Sequence, residues 1–203
     1  VCIPSGTAVK AWNMLTGKMI AKLQHKEFCD AVFSHNNKWL LTTSQDGEAK
    51  LWNTKDWTLV HSLAGETNSL GDGLFSSDDK YVFIPYGDKN TKIRKWETAT
   101  GRNVQTFSGH KGDVHNMYLS RNDELLATVS LDNTVKTWNT KTGKVKYSIN
   151  RDMYGDFAAI DPSNKYLATG DFTRILVYDL RNETLVHDLG DRSKASSLVK
   201  YSR

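Results

Sequence analysis

Proline and cysteine are scarce: the 203 residues hold 3 of the first and 2 of the second. So few prolines argue against a polyproline or collagen-like chain, and the 14 glycines follow no triplet period. Cys2 and Cys29 form neither a CxxC pair nor any metal-ligand spacing, which leaves a disulfide framework and a zinc site without support. Two free thiols in a reducing, intracellular compartment are the expectation, with cytoplasm and nucleus not distinguished. Long apolar runs are missing too. Nothing approaches the roughly 18 apolar residues of a membrane span, and the start VCIPSGTAVKAW has neither the basic opening nor the apolar stretch of a secretory signal. Because residue 1 is Val and not Met, upstream sequence is expected to be absent. Asn182-Glu183-Thr184 fits a glycosylation pattern that short sequences meet by chance. Neither charge sign is scarce: 27 Lys and Arg against 23 Asp and Glu leave +4, well mixed, which permits RNA or an acidic protein as partner and demands neither.

Helical periodicity is absent as well, because the apolar residues alternate in short bursts with period two. What is present is a repeat. TAVKAWNMLTGK, EAKLWNTKDW, TKIRKWETATGR, NTVKTWNTKTGK and TRILVYDLRNET align on Trp12, Trp52, Trp96, Trp138 and Tyr178, spaced by 40, 44, 42 and 40 residues. Before the last four aromatics stand segments that each suggest a strand, a polar turn and a second strand, as in VHNMYLSRNDELLATVSLD. Each unit then comprises four short strands. In the unit beginning at Gly109 they are predicted at 114–119, 125–129, 134–139 and 144–149, with turns rich in Asn, Asp and Gly. Four strands in about 42 residues have too small a core to stand alone, so neighbouring units must cover one another. Radial stacking satisfies this and leaves only short edges; a two-sheet sandwich gives no reason for a shared period.

In these features the chain resembles the WD40-repeat family from end to end. The family's W-D dipeptide appears as Trp12-Asn13, Trp52-Asn53, Trp96-Glu97, Trp138-Asn139 and Tyr178-Asp179. The resemblance implies an all-β fold, a portion of a WD40-type β-propeller with four complete four-stranded blades and partial blades at both ends. The expected division of this single domain is a partial blade at 1–23, repeats at about 24–64, 65–108, 109–150 and 151–189, and a partial blade at 190–203, where 196–202 resembles a first strand. Propellers of this family usually close with more blades, so a fragment of a longer protein is expected; an arc completed by another chain or an unusually small ring are the alternatives.

His110, Ser130, Asp132 and Trp138 contain the ingredients of acyl-transfer chemistry, but no nucleophile elbow or oxyanion site accompanies them. His25, Ser44, Asp46 and Trp52 repeat the set in the same order. A second copy favours a structural role, since a buried indole N–H, hydroxyl, imidazole and carboxylate can satisfy one another. In the family resembled, such residues form a structural tetrad. Glu66 and Arg151 replace the His in the other two units, which are expected to rely on apolar packing and to tolerate truncation there. No catalytic, metal or cofactor-binding residue is expected, and no cofactor or small-molecule substrate.

Function is therefore expected in surface recognition: a noncatalytic protein–protein interaction scaffold within a multiprotein assembly, with other proteins or peptides as partners. The candidate binding face holds Lys26, Lys111 and Arg151, with Tyr154 and Phe172 as aromatic anchors; Thr67, Asp152 and the enlarged turn at 87–90 lie on the same expected rim. One alternative is an RNA-associated propeller using Arg192, Lys194, Lys200 and Arg203. Another is a regulatory propeller attached to a catalytic domain outside these residues.

Overall fold

The structure, a computed structural model, describes residues 1–27, 29–63, 72–87, 90–151, 157–170 and 174–190. Glu66, Thr67, Asp88, Lys89, Asp152, Tyr154, Phe172, the side chain of Cys29 and the segment 191–203 lie outside the described residues, so the expectations placed on them end there. No α-helix occurs among the described residues, and none is long and apolar enough to cross a membrane.

Five antiparallel sheets follow one another along the chain. The first has three strands, β1 (Cys2–Ser5), β2 (Ala8–Trp12) and β3 (Met19–Gln24). The second has β4 (Cys29–Phe33), β5 (Trp39–Ser44), β6 (Ala49–Asn53) and β7 (Leu59–Ser62), and the third β8 (Leu74–Phe75), β9 (Tyr81–Tyr86), β10 (Lys92–Glu97) and β11 (Asn103–Ser108). The fourth has β12 (Val114–Leu119), β13 (Leu125–Ser130), β14 (Thr134–Asn139) and β15 (Val145–Asn150), and the fifth β16 (Phe157–Ile160), β17 (Tyr166–Gly170), β18 (Ile175–Asp179) and β19 (Thr184–Asp188). Each is a meander in which sequence neighbours pair. The chain forms two compact units, Val1–Thr106 and Phe107–Arg203.

The second strand of the second sheet is buried on both faces because it is covered on both. In β5, Leu40 joins Val9 and Leu23 of the first sheet, while its neighbour Leu41 joins Phe75, Val82 and Ile84 of the third. Successive residues of a strand point to opposite faces, so the pair Leu40-Leu41 serves two cores at once. In the second unit Leu125, Ala127 and Val129, on one face of β13, pack with Ile149 and with Ala158, Leu167 and Leu180 of the next sheet and its flank. Full burial of one such leucine contributes about 1.5–3 kcal/mol.

The hairpins explain why the family's W-D dipeptide tolerates Asn here. Asn139 Oδ1 accepts the Lys141 and Thr142 N–H groups at 3.0 and 2.8 Å, closing the β14–β15 turn. Asn13 and Asn53 do the same after their tryptophans. Asp179 Oδ1 accepts the Arg181 N–H at 2.8 Å in the fifth sheet. The position requires an acceptor two or three bonds from the backbone, and an amide oxygen meets that need without charge.

The turn between the first and second strands of each complete sheet has a left-handed corner, at Asn37, Asp79, Asp123 and Asn164, with φ of 58 to 59°. Asn and Asp are the side-chain-bearing residues that adopt it most readily. Two of these corners reach into the preceding sheet. Asp79 accepts the His35 N–H (2.8 Å), His35 Nδ1 (2.9 Å) and the Asn36 N–H (2.8 Å). Asn164 Nδ2 donates to Asn122 Oδ1 at 2.9 Å.

Candidate functional site

β14 presents Trp138 to the interior, fully buried, edge-on to Phe107 with ring centroids 6.0 Å apart. Its indole Nε1–H donates to Thr128 Oγ1 at 2.8 Å. The same hydroxyl lies 2.7 Å from His110 Nε2, and His110 Nδ1 lies 2.9 Å from Asp132 Oδ2. One assignment of protons satisfies the whole relay: indole N–H to hydroxyl oxygen, hydroxyl O–H to Nε2, and Nδ1–H to carboxylate. It requires a neutral imidazole, and burial indeed holds the His110 pKa below its ordinary value despite the opposing pull of Asp132. Burial alone would raise Asp132, yet bonds from Thr134, Lys111 N–H and His110 overcome it and hold the carboxyl far below the usual range.

The structure thus brings His110, Asp132 and Trp138 together but places Thr128, not Ser130, at the centre. Ser130 Oγ instead donates to Gly112 O at 2.9 Å and accepts the Asp132 N–H at 3.1 Å, bracing the loop that carries His110. The second set repeats the correction: Thr42 Oγ1 stands 2.7 Å from His25 Nε2 and accepts the Trp52 indole N–H at 2.8 Å, while Ser44 lies at the strand end. The cause is register. Trp138 pairs with Leu126 and Trp52 with Leu40, and the indole reaches the residue two further along the partner strand. Thr128 and Ser130, like Thr42 and Ser44, share a face, so sequence order alone could not separate them.

The second set is also looser. Asp46 does not bond His25, whose buried Nδ1 is 3.9 Å from Glu48 Oε2. Gly112 accounts for the contrast: a Cβ there would lie 2.7 Å from the Asp132 nitrogen, so only glycine lets the loop close on the turn. Glu27 holds the equivalent position, and its carbonyl stands 3.4 Å from Ser44 Oγ. Gly112→Ala is accordingly expected to cost about 1–3 kcal/mol, with Glu27→Ala nearly neutral, as measured by urea unfolding; equal losses would contradict the close-approach argument. His25, Asp46 and Glu48 also bring possible metal-ligand atoms within 4.8 Å of one another. Lys50 Nζ at 2.6 Å and Lys26 Nζ at 3.7 Å already neutralise Glu48, so the trio is best described as an ion-paired cluster. Burial and then Lys50 keep the His25 pKa low.

In the third sheet Trp96 pairs with Val82, which puts Ile84 where the hydroxyl would stand. Apolar packing and the Arg94 guanidinium, 3.9 Å from the Tyr86 ring and 5.8 Å from Trp96, take its place. In the fifth, Tyr178 pairs with Leu167 and Thr169 occupies the hydroxyl position. Arg151 is a correction on two counts. Its side chain is buried, at 9 % exposure, and Nη1 lies 3.5 Å from Thr169 Oγ1. It therefore stands in for the histidine inside the fold, and neither exposure to a partner nor tolerance of truncation follows. Lys26 and Lys111 are exposed, each directly after a buried histidine.

The geometry defines the class: repeated four-stranded units, two of them held by an imidazole-hydroxyl-indole relay. The family model described as WD domain, G-beta repeat matches residues 17–53 and 101–139, so the chain carries WD40 repeats, and domains of that family are noncatalytic interaction modules. Among curated relatives, Autophagy-related protein 16 of Arabidopsis thaliana is 24% identical over 88% of this chain and 35% of its own length. Eukaryotic translation initiation factor 3 subunit I of Aspergillus niger is 38% identical over 40% of this chain and 24% of its own length. The chain thus spans about a third or less of these relatives. A chain in the crystal structure of the mitotic checkpoint complex superposes with a TM-score of 0.79 at 18% identity, covering 95% of this chain and 61% of that one. At that identity the likeness speaks for the fold.

Proposed function

We propose that the chain is part of a β-propeller, divided near 24, 65, 109, 151 and 190, that acts as a noncatalytic scaffold joining proteins in a multiprotein assembly. The observation that carries this is the inward commitment of the polar quartet: His110, Asp132 and Thr128 bond one another, Trp138 and the adjoining turn, so none of these three is offered to a substrate as nucleophile or base. Lys26 and Lys111, each exposed directly after its buried histidine, are the candidate docking residues of their respective units. The resemblance to a chain crystallised in a multiprotein complex agrees with this.

Charge reversal of both lysines, K26E/K111E, in the intact protein is expected to abolish capture of at least one partner while leaving thermal unfolding unchanged. Full retention of every partner would refute the assignment of these residues. A second reading, a subunit of an RNA-associated complex, draws on the similarity to a translation initiation factor subunit and on the net charge of +4. RNA affinity that falls steeply with salt would favour it.

A further inference from the structure

The outer hairpin of the fourth sheet, β14–β15, differs from the others in charge. From Asn133 to Asn150 the sequence holds Lys136, Lys141, Lys144 and Lys146 and no Asp or Glu. Several cations near turns elsewhere are paired: Lys50 with Glu48, Lys80 with Asp78, Arg174 with Asp188, Arg181 with Asp179. Lys141, Lys144 and Lys146 are exposed and form no ion pair among the described residues. Lys136 is drawn over the outer strand, its Nζ 2.6 Å from Ser148 Oγ. The first hairpin is also free of acids, but its outer strand β3 carries Met19 and Ile20 between Lys18 and Lys22. Outer strands β7, β11 and β19 contain no lysine.

β15 ends the sheet order β12-β13-β14-β15, so its second edge is an outer edge in that sheet. Such an edge can accept an extended peptide through backbone hydrogen bonds. Lys144 directly precedes β15, and Lys146 is the extra residue of a bulge between the pairs Thr137–Tyr147 and Trp138–Val145, so both cations belong to the turn end of this edge. Lysines here deter pairing with apolar or basic strands, and the same charges select an acidic one. A single-stranded nucleic acid would in addition want exposed aromatic faces for stacking. Tyr147, the aromatic of this strand, packs partly against the core of the sheet, and Lys146 Nζ lies 5.4 Å from its ring centroid, so the ring is a poor stacking platform.

We infer that the β15 edge is a docking surface for an extended acidic segment of a partner protein, with Lys144 and Lys146 at its turn end pairing with carboxylates of that segment. This deepens the scaffold reading and rests on it.

The test uses the intact protein and a fluorescein-labelled peptide of alternating glutamate and threonine, followed by fluorescence anisotropy. Saturable binding is expected, weakened by salt and reduced about tenfold or more by K144E/K146E. A peptide of the same sequence with every backbone nitrogen methylated is expected to bind far more weakly, since it cannot donate to the edge. Equal binding of the two peptides, unchanged binding by the double variant, or tighter binding of an oligouridylate would each overturn the proposal. Thermal unfolding verifies that the variant is folded, and K146Q alone serves if it is not. Loss of peptide binding with partner capture still sensitive to K26E/K111E would remove this edge and spare the scaffold reading; the reverse pattern would remove Lys26 and Lys111 as docking residues and spare the edge.

Discussion

Trp138→Ala is expected to lower the unfolding free energy by about 3–5 kcal/mol. The indole is fully buried against Phe107 and His110, so its removal opens a cavity and strands the Thr128 hydroxyl. Trp52→Ala should cost less, because that ring is only half-buried and its quartet lacks the carboxylate bond. The companion substitutions decide which hydroxyl matters. Thr128→Val keeps the shape but leaves Trp138 Nε1 and His110 Nε2 without their shared partner, a loss of about 2–4 kcal/mol. Ser130→Ala removes a bond to a loop carbonyl and should cost about 1 kcal/mol. Urea denaturation of the four variants gives the ranking, and a larger loss at Ser130 than at Thr128 would contradict the relay.

The second large effect lies at Asp132, which accepts from Lys111 N–H, His110 Nδ1, Thr134 N–H and the Thr134 hydroxyl. Asp132→Ala strands these donors in a largely buried site and is expected to cost about 3–5 kcal/mol. Its pH signature follows from linkage. The folded pKa of Asp132 lies below the unfolded one, so the unfolded chain takes up the proton first; the stabilisation is complete above about pH 4 and is lost as pH falls further. His110 is also depressed, so its contribution is complete above about pH 6.5 and declines as acid protonates the unfolded imidazole. Both groups destabilise the fold in acid, in two successive ranges. His110→Gln should flatten the upper limb of melting temperature against pH, and Asp132→Asn the lower limb. A wild-type profile level from neutrality to pH 4 would refute the neutral-imidazole relay.

The five units were legible because one aromatic recurs near every 42 residues and period-two patterning brackets it. The strands predicted at 114–119 and 134–139 coincide with β12 and β14, since turn residues punctuate them sharply. The identity of the central hydroxyl was not legible: it depends on cross-strand register, which composition does not display. Nor was the burial of Arg151. A charged residue in a loop position reads as surface, and only packing shows a guanidinium taking an imidazole's place beside Thr169. The replacement of W-D by W-N was visible, and its harmlessness became clear once the bonds of Asn139 showed that an acceptor, not a charge, is needed.

The left-handed corners carry a consequence for how such a chain can change its length. Asp79 grips a residue 44 positions earlier, and Asn164 one 42 positions earlier, each about one repeat back. A joint whose halves lie one period apart is copied whole when a unit duplicates and is severed at one place when a unit is lost. Glycine at the corner would turn the chain equally well but pass nothing to its neighbour. With Asp or Asn there, a local failure in one sheet loosens the next, so unfolding propagates along the array by nearest-neighbour coupling that a single side chain can strengthen or silence.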